Sequence, residues 1–417
     1  MALQSGLLGG SAGGSAGGSA GGPAGGSAGG SAGGSAGGSV YADQFANTLF
    51  CEALTRTRGA VIDMEESIPQ WEMGEPFPDL ERRLLRWDPW VRSYLVAQEL
   101  VSRVRFKLHP TIAGHVTAQF LDDGLDGFVD GVTLIRPTTK TFGEQISLVL
   151  SYAELREERT SEILAQIEQH HAFWNALVPI QADRLRHTRE LLEAAIQFAV
   201  YIEMKFKHEL ACWRPCDYSA QVQPMLTTPG HGSLPSGHCT QAYVVAEVLK
   251  ALLNTMQQGP GYRTFNAQLH RLAARIATNR VIAGVHFPVD NVAGRLLGTV
   301  LGEYFCFLCG GRGPGSAPSK SVPPWRAGRF DGTKFSGHTD FDPFAQPLRA
   351  KEGGAPKPAF YEFGPPKFRA PKEGSGQHSP GYDGTGEAFE PKARSDLMHT
   401  LWQRALKECD GLGLVYA

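Results

Sequence analysis

The chain has 417 residues, 42% of them hydrophobic and 20% charged, with a formal net charge of −2. That balance, with no basic stripe, excludes the electrostatic footprint of nucleic-acid binding. No window approaches twenty uncharged apolar residues, so no membrane span is expected and a soluble chain is; the best candidate, Leu296 to Cys309, is short and contains Glu303.

The N-terminus, MALQSGLLGG, has neither a charged n-region nor a long apolar core and makes a poor export signal, which leaves a cytoplasmic chain or an exported one lacking its signal. Residues 9–40 are eight GGSA-type tetrads with no side chains to bury, so 1–40 reads as a flexible tail. Apolar residues at helical spacing then recur over Trp87–Leu108, Phe142–Val178, Asp183–Trp213, His238–Met256, Phe265–Ala283 and Val289–Phe307. Pro110, Pro179 and Pro215 supply stops. Without convincing alternating strands, the expected fold class is all-α, a helical bundle over 41–309. Residues 310–391, rich in Gly, Pro, Lys and Ser, read as mostly irregular chain, closed by a short helix near Ala393–Lys407. The acidic stretch LDDGLDGFVDG spaces Asp122, Asp126 and Asp130 four apart, which is a solvated turn and not a calcium loop.

The seven cysteines are Cys51, Cys212, Cys216, Cys239, Cys306, Cys309 and Cys409. An odd count in a chain of this length does not suggest a disulfide scaffold. Cys306 and Cys309 form a lone CxxC, which reads as two small apolar residues closing a helix sooner than as a redox or metal pair.

Three blocks hold the chemistry. In KHELACWRP, Lys207 and Arg214 are seven apart, two turns along one helix face. In TPGHGSLPSGH, Ser236, Gly237 and His238 fall where a helix begins, and a helix N-terminus offers unpaired N–H groups to an anion. In NRVIAGVHFPVD, Arg280 precedes His286, and Asp290 lies one turn beyond it, where a carboxylate can hold Nδ1–H and leave Nε2 as nucleophile or ligand. Taken singly, each block has a structural reading: a charged helix face, a capped helix with a surface histidine, an i,i+4 pair. Taken together they describe an oxyanion site with three cations, a proton donor and a nucleophile.

The pattern K-x6-R-P, then P-S-G-H, then R-x5-H-x3-D fixes ten residue identities. It resembles the superfamily that joins type 2 phosphatidic acid phosphatases, bacterial non-specific acid phosphatases and vanadium-dependent haloperoxidases. The resemblance covers Lys207 to Asp290, and the surrounding helices agree with that family's helical core. One position departs, since the family usually has Ser where Asn279 stands. The resemblance implies that Lys207, Arg214 and Arg280 neutralise the oxygens of a bound vanadate or phosphate, with Ser236 and the Gly237 N–H completing the cradle. It implies that His286 coordinates vanadium or attacks phosphorus, that Asp290 orients His286, and that His238 is the general acid–base.

Three features favour the haloperoxidase branch, with hydrogen peroxide and a halide (bromide or iodide) as partners. His231 lies seven residues before His238, matching the bromoperoxidase offset; Trp213 precedes Arg214-Pro215, similar to haloperoxidases; and about 150 helical residues precede the first block. His231 also has a plain reading as a loop residue supporting the PSGH turn. Against this branch, Cys212, Cys216 and Cys239 neighbour the motifs, and a hypohalous product oxidises accessible thiols. The alternative is an acid phosphatase hydrolysing a phosphoester through a phosphorylated His286. A non-enzymatic interaction module would leave the three blocks apart in space. The sequence specifies no oligomeric state.

Overall fold

A computed structural model describes residues 48–61, 80–122, 127–167, 170–181, 184–253, 260–310, 325–342, 360–366 and 395–412. The tract at 9–40, Asp126 and most of 310–391 lie outside them. The chain begins with helices α1 (Thr48–Val61), α2 (Leu80–Leu85) and α3 (Pro89–Ser102), then strands β1 (Val104–Leu108), β2 (His115–Asp122) and β3 (Gly127–Ile135). Helices α4 (Thr139–Tyr152), α5 (Arg156–Ala165), α6 (His170–Asn175), α7 (Arg186–Leu210) and α8 (Pro215–Tyr218) follow. The motif helices are α9 (Gly237–Leu252), α10 (Pro260–Ile282) and α11 (Pro288–Leu308). Strands β4 (Arg326–Asp331) and β5 (Tyr361–Pro366) and helix α12 (Asp396–Gly411) complete the described elements.

The expected all-α class is overturned by a five-stranded sheet in the order β1-β2-β3-β4-β5. Its pairs are antiparallel except β3 with β4, where Val132 pairs Gly328 and Ile135 pairs Asp331 in parallel. Two physical reasons hid it. VRFKL continues the apolar run of α3, yet Val104 and Phe106 alternate with Arg105 and Lys107, a period of two that five residues barely express. Strands β4 and β5 carry Gly and Pro and gain their ladder only from β3 and each other, far away in sequence. The acidic stretch belongs to the β2–β3 pair: Asp122 pairs Gly127, and Asp130 sits in β3, accepting from Gln119 Nε2 at 2.7 Å.

The sheet packs on the helices through aromatic rings. Phe120 of β2 stacks on Tyr304 of α11 at 4.4 Å, and Trp325 meets both rings at 5.4 and 5.5 Å. Helix α12 seals the start of α7: the Glu408 carboxylate accepts from the backbone N–H groups of His187 and Thr188, the unpaired donors of a first helical turn. That contact anchors the long helix that carries Lys207. Cys306 and Cys309 are buried in the common core beside α12. Among the described residues, no helix is long and apolar enough to cross a membrane.

One feature of α11 decides where the motifs meet. Gly294, Gly298 and Gly302 lie four apart on the face turned to α9. A Cβ on Gly294 would sit 2.8 Å from the Ser236 oxygen, one on Gly298 would overlap the Thr240 carbonyl, and one on Gly302 would sit 2.6 Å from Glu247 Cβ. The partners advance in the same direction on both helices, so α9 and α11 run parallel with their N-termini at one end. Both positive dipole ends therefore face the same place. We expect Gly298→Ala to destabilise the fold by about 1–3 kcal/mol, because the opposing atoms are backbone and cannot rotate away. An unchanged midpoint of thermal unfolding would contradict this packing.

Candidate active site

The same local device starts α8 and α11. Pro215 and Pro288 take the first helical position, where a missing N–H costs nothing. Two residues on, Asp217 accepts from Arg214 N at 2.8 Å and Asp290 from Phe287 N at 2.9 Å. These starts fix Arg214 and His286 at helix entrances instead of on exposed faces. Ser236 is the N-cap of α9, and its N–H donates to the Asp290 carbonyl at 3.0 Å, which ties the second block to the third.

Lys207, on the last turn of α7, is 1% exposed. Its Nζ donates to the carbonyls of Gly232 (3.2 Å), Ser233 (3.0 Å) and Pro235, so the loop before α9 is wrapped around the ammonium. Arg214 donates from Nε to the His231 carbonyl at 3.1 Å and from Nη1 to Val285 O at 2.7 Å, joining all three blocks. Its Nη2 lies 3.1 Å from His231 Nδ1. The same Nδ1 lies 3.1 Å from the Gly232 carbonyl, so it stands between a guanidinium that only donates and an oxygen that only accepts. Burial, then Lys207 and Arg214, push His231 down to about 4, so the ring is neutral beside its cation.

His286 and Asp290 form the expected pair, with Nδ1 donating to Oδ2 over 3.1 Å. Both are buried. Burial, then Arg214, Lys207, His231 and His238, hold the His286 imidazole well below its ordinary range. Asp290 is raised by burial, against the Phe287 N–H, Lys207 and Arg214, which favour the carboxylate. Lys207 is lowered by burial and Arg214, against Glu203 and Asp290. Lys207, Arg214, His231, His238, His286 and Asp290 thus stand close enough to act on one another.

Arg280 is placed differently. It is 1% exposed, and its Nη2 turns to α5, donating to Ile163 O and to Gln166 Oε1 at 3.1 Å each. Its Nε and Nη1 are buried with no protein partner, as is Ser236 Oγ. Burial lowers Arg280 to about 10, so it stays charged. Asn279 donates from Nδ2 to the same Gln166 oxygen at 3.0 Å.

The residue-by-residue reading did not reach three contributors. Ser233 lends its carbonyl to Lys207 and donates its hydroxyl to Trp213 O at 2.9 Å. Glu203 is buried one turn before Lys207, raised by burial, and accepts from Gln241 at 3.0 Å. A charged residue among Val200, Ile202 and Phe206 was its signal. Gln166 had none, being one amide in a polar helix.

Residues 191–310 match the family model described as the PAP2 superfamily. The chain is also similar to a vanadium-dependent bromoperoxidase from Ascophyllum nodosum, 32% identical over 94 residues. That match covers 18% of this chain and 17% of the algal protein, well under two thirds of its length. Together the family match and the partial bromoperoxidase similarity support a domain of the PAP2 and vanadium haloperoxidase superfamily over residues 191–310, the stretch that holds all three motifs.

Proposed function

We propose that this chain is a vanadium-dependent haloperoxidase-like enzyme that uses hydrogen peroxide to oxidise bromide or iodide. The observation that carries this reading is His231, a second neutral imidazole held 3.1 Å from Arg214 within the cation cluster. Two further points support it. The similarity to the algal bromoperoxidase points to the same branch. Cys212 and Cys239 are buried at 5% and 0% exposure, which keeps those two thiols from an oxidising product.

The donor set fits a vanadate or phosphate oxyanion. Ser236 Oγ and Arg280 Nε and Nη1 are buried donors with no protein partner. A Cβ on Gly237 would lie 2.8 Å from Glu203 Oε1, so a larger residue at the α9 N-terminus would displace the carboxylate that Gln241 holds. Lys207, Arg214 and Arg280 supply positive charge from three different helices, preorganised by carbonyl and amide oxygens. Vanadate, when bound, supplies the centre at which peroxide is activated toward the halide. The protein's part is to hold and orient. Asp290 keeps the Nδ1 proton on His286, which leaves Nε2 as the atom offered to vanadium. His238, in the first turn of α9, holds the proton to be moved. Neutral His231 orients the Arg214 fork.

A second reading, acid phosphatase, is favoured by the His286–Asp290 pair, because the same Nε2 is a competent nucleophile toward phosphorus. One purified, metal-free sample separates the two. Orthovanadate, peroxide and bromide are added and bromination of a dye is followed; p-nitrophenyl phosphate hydrolysis is followed without vanadate. Bromination that requires vanadate is the expected result. Phosphatase activity that vanadate inhibits, with no bromination, would overturn the haloperoxidase reading.

A further inference from the structure

Asn279 departs from the family's usual Ser, and both ends of its amide are held from α5 and its C-cap. Its Nδ2 donates to Gln166 Oε1 at 3.0 Å. The same oxygen accepts from Arg280 Nη2 at 3.1 Å. Gln166 is fully buried at the end of α5, outside the stretch that matches the family. It is itself held: its Nε2 donates to Glu162 Oε1 at 3.0 Å, and Arg275 grips Glu162 through three contacts of 2.7 to 2.9 Å. Asn279 Oδ1 accepts from Arg159 at 3.4 Å, so the asparagine is pinned at both ends.

We propose that Gln166 is a positioning residue for the Arg280 guanidinium, with Asn279 serving to aim the shared amide oxygen. This rests on the oxyanion-site reading above. A guanidinium is planar, so fixing Nη2 by two acceptors, Gln166 Oε1 and Ile163 O, sets the plane in which Nε and Nη1 present their N–H groups. Those are the two nitrogens left without protein partners. In this chain an element beyond the motif region therefore orients one of the motif cations, and the Ser-to-Asn change is coupled to it.

The test is a double-mutant cycle read by calorimetric titration of inorganic phosphate, which needs no turnover. Gln166→Met keeps the volume and removes the acceptor. It should weaken phosphate by roughly tenfold, within the usual range for outer partners of a binding group. In an Arg280→Ala background the same change should add less than about twofold, because Gln166 acts through Arg280. Gln166→Glu keeps an acceptor oxygen for Arg280 Nη2 but sets its other oxygen against the Glu162 carboxylate, so it should recover part of the lost affinity, which also covers a Gln166→Met protein that folds poorly. An equal penalty in both backgrounds, or full affinity in Gln166→Met, overturns the proposal. Absence of phosphate binding in the unmodified chain would instead overturn the oxyanion reading on which it stands.

Discussion

His286→Ala should lower kcat/KM by at least about a thousandfold for either proposed reaction, haloperoxidase or phosphatase. The imidazole is 4% exposed, locked by Asp290 and surrounded by four groups that hold it neutral. A neutral ring with its Nδ1 proton engaged has its Nε2 lone pair free. Lys207 and Arg214 only donate, and His231 is turned to Arg214. Alanine leaves the cations and the α9 N-terminus in place, so anion binding should weaken less than turnover. Steady-state kinetics beside phosphate titration make the comparison. Turnover within tenfold of the unmodified chain would remove His286 from the role given to it.

Asp290→Asn carries the second large effect, and its reason is the tautomer. Asp290 Oδ2 accepts both from Phe287 N at 2.9 Å and from His286 Nδ1 at 3.1 Å. In the asparagine, the amide oxygen goes to the Phe287 N–H, which has no other acceptor within the α11 start. The NH2 group then faces His286 Nδ1, which must accept and so loses its proton. The proton moves to Nε2, the atom meant to bind or attack. The shape is unchanged and the chemistry is blocked, as when a triad carboxylate becomes an amide, where losses of about 10⁴ are typical. We expect kcat to fall by about 10³–10⁴ with little change in unfolding temperature. Nitrogen NMR of His286 should report the switched tautomer. A variant with normal turnover, or one that loses activity only because it unfolds, would contradict this account.

Both effects were foreseeable from spacing, because the His286–Asp290 offset and the Pro288 start are local facts of a helix. The PSGH cap was legible too, but the single helix face expected for Lys207 and Arg214 was not there: α7 ends at Leu210, Ala211 turns left-handed, and Arg214 caps the start of α8. What the sequence hid is what long-range packing supplies. The parallel approach of α9 and α11 depends on Gly294, Gly298 and Gly302, whose spacing matters only once the partner backbone is known. Gln166 reaches Arg280 across more than a hundred residues. Strands β4 and β5 lie in a stretch whose Gly and Pro content reads as irregular, and β3 makes β4 a strand. Arg280 also shows the limit of motif reading: it is held first by α5, and only two of its nitrogens remain for a ligand.

The central claim is that Lys207, Arg214, Ser236, Gly237, Arg280 and His286 form one oxyanion site. Competition calorimetry on the purified chain tests it most directly, with orthovanadate titrated in the absence and presence of saturating phosphate. The account predicts one vanadate per chain, displaced by phosphate, with binding sharply weakened in Lys207→Met. Vanadate that does not bind, or that binds undisturbed by saturating phosphate, would contradict it.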